Sequence, residues 1–409
     1  MVKAGTKLAR ARAKLERKLA GGWERAVFAT PQREDGSRDE RVVEARAGMD
    51  FADLWREAES AAAEGLVKHS YVIDVRRRLD VDARHGHVKQ RTLDQATLDK
   101  VMGGKDRALR PDRSATLLRA IGIMNADGSI SARSAKKYKQ VNHLVELCRP
   151  VWAAIAEHPE RKRLERDDAD APLRVVDLAC GNSYLSFVLL EALRLDEVPA
   201  VLLGVDLRED VVETSRERAR EIGFASPEAF EPSSSDERSR WQARFERASL
   251  EALDPAELER RLGGSADLAL SLHACDTATD AALSLAITAG VRSILCVPCC
   301  QAEVARQLEG VDRASSPAAA VPAILDHGLL RRGLGELITD GLRVEVLAAC
   351  GYTVSVLEFV ASKHTPKNLL IRATLGEEAL DAETRAARLA PVRERCAALG
   401  VAPKLLELL

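Results

Sequence analysis

The stretch Leu173-Arg-Val-Val-Asp177-Leu-Ala-Cys-Gly181-Asn-Ser-Tyr184 decides how the rest of the chain is read. An apolar run over 173–178 predicts a buried strand, with a carboxylate near its end. A turn of small residues around one glycine follows, and then an apolar helix is predicted over 184–195. Such a turn lets backbone approach a ligand, and the helix start behind it presents unpaired N–H groups. The same alternation continues outward. Val201–Asp206 reads as a second strand and 209–222 as its helix. Phe245–Ala248, Ala266–Leu272 and Arg292–Pro298 read as third, fourth and fifth strands, with helices near 277–289, 302–309 and 320–350. Strands alternating with helices imply right-handed crossovers and a parallel sheet covered on both faces. Tyr352–Val360 and Asn368–Thr374 are joined too closely for a parallel crossover, so they must pair antiparallel. The expected fold is a Rossmann-like, doubly wound, mostly parallel seven-stranded sheet ending in an antiparallel hairpin strand. Residues 376–409 read as helical.

Upstream of this sheet the signals are weaker. A helix is predicted from Phe51, giving way to an apolar stretch at Tyr71–Val75. Residues 103–113 form a basic loop, 114–123 a short helix with Ser114 as N-cap, and 132–157 a longer helix. Residues 158–171 (HPERKRLERDDADA) have the composition of a charged linker. The expected division is an N-terminal mixed or helical accessory domain over 1–134, open to a substrate-binding role, and a catalytic domain over 135–409. Residues 1–20 hold seven Lys/Arg against the single acid Glu16, read as a frayed, solvated helix or else a phosphate-binding arm.

Composition excludes several classes. Hydrophobic residues make up 46% of the 409, enough for a real core, so collagenous and disordered readings fail. No apolar run reaches the ~20 residues of a membrane span, and no apolar leader core is visible, so a cytoplasmic protein is expected. With 61 basic and 63 acidic residues, the overall balance does not announce a nucleic-acid binder. Eight cysteines without a secretory context are expected to be reduced.

Read against D-x-G-x-G-x-G, the turn keeps Asp177 and Gly181, while Ala179 and Ser183 replace two glycines. A dinucleotide site would place three glycines there to seat a pyrophosphate. A carboxylate suits a ligand bearing ammonium and sulfonium charges better, which favours S-adenosyl-L-methionine (SAM) over NAD. Asp206, ending the second strand, stands where an acid would grip ribose hydroxyls. The adenine contact is expected after the third strand, at Ala248-Ser249. The expected cofactor-binding set is therefore Asp177, Ala179, Gly181, Ser183, Asp206 and Ser249.

Two further strand ends carry His273-Ala-Cys275-Asp276-Thr-Ala-Thr279-Asp280 and Val297-Pro298-Cys299-Cys300-Gln301. These stretches resemble the H-x-C-G-x-x-T-D and P-C-C motifs of a class I SAM-dependent methyltransferase family. It includes bacterial and methyltransferase-like eukaryotic members and, more distantly, tRNA 2′-O-methyltransferases. KDRALRP (105–111), KKYKQVNHLVEL (136–147) and the closing DHGLL, TDGLR, GYTVSVLEF and HTPKNLLIRA stretches (326–373) also resemble the bacterial members. The resemblance covers about 105–375, and Asp276 departs from the family's usual glycine. It implies methyl transfer by in-line displacement, where alignment supplies most of the catalysis. His273 is the candidate base, with Asp267, Asp276 or Asp280 as orienters, and a structural histidine is the alternative. Transient methylation of Cys299 is a further alternative.

His273, Cys275, Cys299 and Cys300 could converge on a zinc ion, with structural thiols as the alternative. H-x-C and adjacent C-C match the usual spacers poorly, so no metal is expected. Lys367 and Asn368 are candidate substrate contacts, extended by Lys105, Arg107, Arg110, Arg113, Lys136, Lys137 and Lys139. Together with the distant tRNA-enzyme resemblance they make RNA the expected substrate. Small-molecule or protein methylation, or SAM or RNA binding without catalysis, are the alternatives.

Overall fold

The computed structural model describes residues 7–34, 37–167, 171–226, 230, 240–272, 274–312, 316–358, 368–376 and 380–409. His273 and Lys367, two of the sequence-predicted site residues, lie outside the described residues. The chain divides into two compact units, Met1–Lys139 and Gln140–Leu409, the division falling within the helix Ala132–Glu157.

The first unit is built on a sheet that the sequence reading did not anticipate. Strands β1 (Arg25–Ala29), β2 (Glu40–Glu44), β3 (Lys68–Asp74), β4 (Arg77–Asp82) and β5 (Val88–Thr92) pair antiparallel in the order β2-β1-β3-β4-β5. The helix Phe51–Ala63 covers it, started by a capping box between Asp50 and Asp53. Phe28, Tyr71, Leu79, Leu54 and Trp55 pack into one core with Leu8, Leu15 and Leu19 from the N-terminal helix. That helix, Arg12–Leu19 with the turn before it, is therefore anchored rather than frayed: its charges face out while its leucines are buried. Ser114 precedes the helix Ala115–Ala120 but makes no capping bond, and its buried Oγ has no hydrogen-bond partner among the described residues.

The second unit contains the seven strands expected. These are β6 (Leu173–Leu178), β7 (Ala200–Asp206), β8 (Trp241–Arg247), β9 (Leu268–Ser271), β10 (Ser293–Cys296), β11 (Tyr352–Glu358) and β12 (Leu369–Leu375). Their order is β11-β12-β10-β9-β6-β7-β8. The strands β8-β7-β6-β9-β10 are parallel, and β12 runs antiparallel between β10 and β11. This is a Rossmann-like doubly wound sheet. Full burial of β7 and of five residues of β6 follows from helices on both faces. The helices Tyr184–Leu195 and Thr277–Thr288 are apolar nearly all round and correspondingly buried.

Two expectations fail here. The charged stretch after His158 is not a linker but the helix Pro159–Asp167, and Arg161 on it donates to the Pro172 carbonyl at 3.0 Å. The helix expected over 320–350 is two, Pro322–Asp326 and Gly328–Ala349, separated at His327, which adopts an extended conformation. Among the described residues no helix is long and apolar enough to cross a membrane.

Candidate active site

The strand order turns in opposite directions from β6: to β7 on one side and to β9 on the other. Ligands of such sheets bind at this switch, outside the carboxyl ends of the strands. Asp177 sits one residue from the end of β6, opposite Leu270 of β9. It is almost fully buried, and Ser186, from the first turns of the following helix, donates its hydroxyl to Oδ2. The other oxygen, Oδ1, is buried with no hydrogen-bond partner among the described residues. Burial, together with the nearby Asp206 charge, pushes the Asp177 carboxyl up to about 7, against the opposing Ser186 bond.

The turn after β6 folds back over β7. Cys180 N–H donates to the Val205 carbonyl at 3.0 Å, and Gly181 N–H donates to Asp206 Oδ2 at 2.8 Å. Arg208 N–H donates to Asp206 Oδ1 at 3.0 Å. The two carboxylates expected at neighbouring strand ends are thus close together, with the glycine turn between them. Each Asp206 oxygen takes one of these backbone bonds and retains a further lone pair for a ligand.

The turn keeps glycine-like backbone without glycine at two positions. Ala179, Gly181 and Ser183 have φ of 61°, 55° and 54°. Left-handed backbone at Ala179 and Ser183 is strained, and the surroundings must hold it. Part of that hold is Ser215, whose Oγ lies 3.0 Å from Ser183 Oγ and 3.3 Å from the Gly181 carbonyl, beside the Val211 carbonyl at 2.8 Å. Arg218 donates to the Asn182 carbonyl. Gly204 on β7 is small for a related reason: a Cβ there would stand 2.4 Å from the Phe245 ring and 3.2 Å from Cys180 Sγ. Ser249 follows β8, half-buried, and caps no helix through its side chain.

The carboxyl ends of β9 and β10 hold the second set of predicted residues, and here several roles change. Asp280 is buried and paired with Arg343 of the helix Gly328–Ala349 at 2.8 Å. Arg343, itself buried, also donates to Asp340 at 3.1 Å and to the Asp276 carbonyl at 2.9 Å. Gln301 donates to both oxygens of Asp340, at 2.8 and 2.7 Å. Both members of the T-D pair of the motif are engaged within the protein: Thr279 donates to the Ala274 carbonyl at 2.8 Å, and Asp280 answers a buried guanidinium.

Asp276, where the resembling family has glycine, has φ 50° and ψ −120°, a conformation glycine adopts without strain. Its carboxylate accepts from Ala302 N–H at 2.8 Å, Glu303 N–H at 3.1 Å and Arg306 at 3.0 Å. Its own N–H donates to the Cys300 carbonyl at 2.8 Å. Asp276 thus straps the β9 loop to the β10 loop. Asp267 lies at the opposite, amino-terminal edge of β9, accepting from Arg174 N–H at 2.8 Å, and so cannot orient a group after that strand.

Cys275, Cys299 and Cys300 converge, their sulfurs all within 4.8 Å of one another. Burial holds the Cys299 thiol above its usual range, and the neighbouring Cys300 together with burial pushes Cys275 up to about 12. Asn368 lies at this same edge, since β12 begins opposite the end of β10, and donates to Glu358 Oε1 at 2.9 Å.

Ser186, Ser215, Arg218, Asp340 and Arg343 were missed from sequence. The TDGLR stretch carrying Asp340 and Arg343 was visible, but nothing local tied it to Asp280.

Residues 136–307 match the family described as Methyltransferase domain. No curated protein matches the chain. Among solved structures, a Podospora anserina methyltransferase with S-adenosylhomocysteine (SAH) bound is similar at 14% identity and a TM-score of 0.34. That match covers 69% of this chain and 97% of the other. The O-methyltransferase from Bacillus cereus in complex with SAH is similar at 13% identity and a TM-score of 0.33, covering 69% and 96%. Likenesses this distant decide nothing about the chemistry of this chain.

Proposed function

We propose that this protein is a SAM-dependent methyltransferase, with RNA as its substrate. The observation that carries the first part is the pair Asp177 and Asp206 at adjoining strand ends, bridged by the Gly181 turn. The orphaned Oδ1 of Asp177 fits an ammonium group, which would supply its missing partner and offset its desolvation. Asp206 suits ribose hydroxyls through its remaining lone pairs, and the backbone of the Gly181 turn can close on the amino-acid portion. Bound SAM supplies an electrophilic methyl group on a sulfonium sulfur. The chain's own task is alignment of a nucleophile with that methyl, with His273 taking a proton where the nucleophile must lose one.

RNA is favoured by basic residues gathered within the first unit, which we assign an accessory, substrate-binding role. Tyr138 donates to the Leu109 carbonyl at 2.9 Å, and the Lys139 side chain lies against Gly103. The basic loop is thereby docked on the start of the helix Ala132–Glu157, leaving Lys105, Arg113, Lys136 and Lys139 exposed on these two elements, while Lys137 donates to the Ile121 carbonyl at 3.4 Å. Arg107 and Arg110 are committed internally, to the Met102 carbonyl and to Asp112.

Calorimetric titration with SAM tests the cofactor assignment: Asp206→Ala abolishes binding, while His273→Ala keeps binding and loses turnover. Unchanged binding in Asp206→Ala would overturn it. For the substrate, a Lys136→Glu and Lys139→Glu double variant weakens RNA binding and lowers the salt slope by roughly two. An unaltered slope, or methyl label entering only protein or small molecules in a cell extract, refutes RNA.

A further inference from the structure

Cys275 comes from the loop after β9, and Cys299 and Cys300 from the loop after β10. Cys275 Sγ lies 3.3 Å from Cys299 Sγ, which lies 3.7 Å from Cys300 Sγ. A tetrahedral zinc ion with Zn–S bonds of ~2.3 Å sets its sulfurs ~3.8 Å apart. Small side-chain adjustments would turn this cluster into such a triangle.

Core packing does not account for these thiols. Cys148, Cys296, Cys350 and Cys396 are buried, as inert cysteines usually are, whereas Cys275 is exposed and Cys299 and Cys300 are half-buried. The loops that carry them are also fixed before any ligand arrives. Asp276 joins them through the Cys300 carbonyl and through the N–H groups of Ala302 and Glu303. Arg343 holds the Asp276 carbonyl from below. Outer contacts of this kind orient ligands in metal sites.

We propose that Cys275, Cys299 and Cys300 bind one zinc ion as thiolates, the three protein ligands found among the described residues. Binding converts three thiols to thiolates and releases three protons, leaving the three-thiolate complex with net charge −1. The ion would stand on the same carboxyl-terminal edge of the sheet as Asp177 and Asp206. The inference does not depend on SAM being the cofactor.

The test uses the full chain, purified reduced, supplied with zinc and then dialysed. Elemental analysis is expected to find close to one zinc per chain, and replacement by cobalt(II) to give thiolate-to-cobalt charge-transfer bands. Cys275→Ser, Cys299→Ser and Cys300→Ser each weaken zinc retention against a chromophoric chelator by roughly tenfold or more. The cobalt spectrum of the unaltered chain decides the matter even where a variant fails to fold. A folded, reduced chain without zinc overturns the proposal, as does cobalt bound without charge-transfer bands. So does a Cys275–Cys299 disulfide forming in air at the same rate with and without added zinc.

Discussion

Asp280 and Arg343, 63 positions apart, form a buried ion pair at 2.8 Å that fastens the helix after β9 to the long helix before β11. Two motif-bearing stretches thus meet in one interaction beneath the thiol cluster. Removing one partner leaves an uncompensated buried charge, which costs more than the pair itself contributes. Arg343→Leu is expected to lower stability by about 3–5 kcal/mol in urea unfolding. The double variant Asp280→Leu, Arg343→Leu should recover much of that loss, and a double variant no better than the single would refute the account.

Asp177 carries a pH prediction. Its carboxyl, raised to about 7 by burial, is largely protonated in the free protein at pH 6. A raised acid pKa means that folding stability falls as pH rises from the unfolded value near 3.8 towards 7. A cationic ligand reverses this by favouring the ionised form. SAM affinity should therefore strengthen by roughly fivefold between pH 6 and 7, as the ionised fraction of Asp177 rises from about a tenth to about a half. Asp177→Asn should weaken binding and flatten that dependence, and a slope persisting in the variant would exclude Asp177 as its source.

Gly204 supports the turn from beneath. A methyl group there would meet the Phe245 ring at 2.4 Å, and that ring is packed against Phe187 at 5.2 Å between centroids. Gly204→Ala should cost about 1–3 kcal/mol through overpacking. It should also weaken SAM binding, because Cys180 of the turn is the other neighbour. Adding Phe245→Leu should restore part of the stability, as read from thermal unfolding.

In the first unit, His69 is buried, with Nε2 2.8 Å from the Leu66 carbonyl and Nδ1 3.2 Å from the Tyr71 hydroxyl. Burial lowers its pKa to about 4 from 6.5. The unfolded chain then binds the proton first, so stability is full above about pH 6.5 and falls as pH drops towards 4, by up to roughly 3 kcal/mol. His69→Asn should be less stable at pH 7 yet show a flatter decline below pH 6. A decline as steep as that of the unaltered chain would place its source elsewhere.

The amino-acid sequence by itself determined the catalytic sheet and the positions of its acids. Buried parallel strands are continuous apolar runs, and Asp177, Gly181 and Asp206 announce themselves as a carboxylate, a turn and a carboxylate at strand ends. The N-terminal sheet was hidden because its edge strands are short, charged and exposed: ERVVE and VKQRT bury no residue fully. Only the tertiary structure decided that Asp276 straps two loops, that Asp280 answers Arg343 and that three cysteines meet. Those relationships join residues 24 to 63 positions apart. Local spacing carries no trace of which distant partner will satisfy a buried charge or complete a cluster; the packing of the helices on the sheet makes that choice.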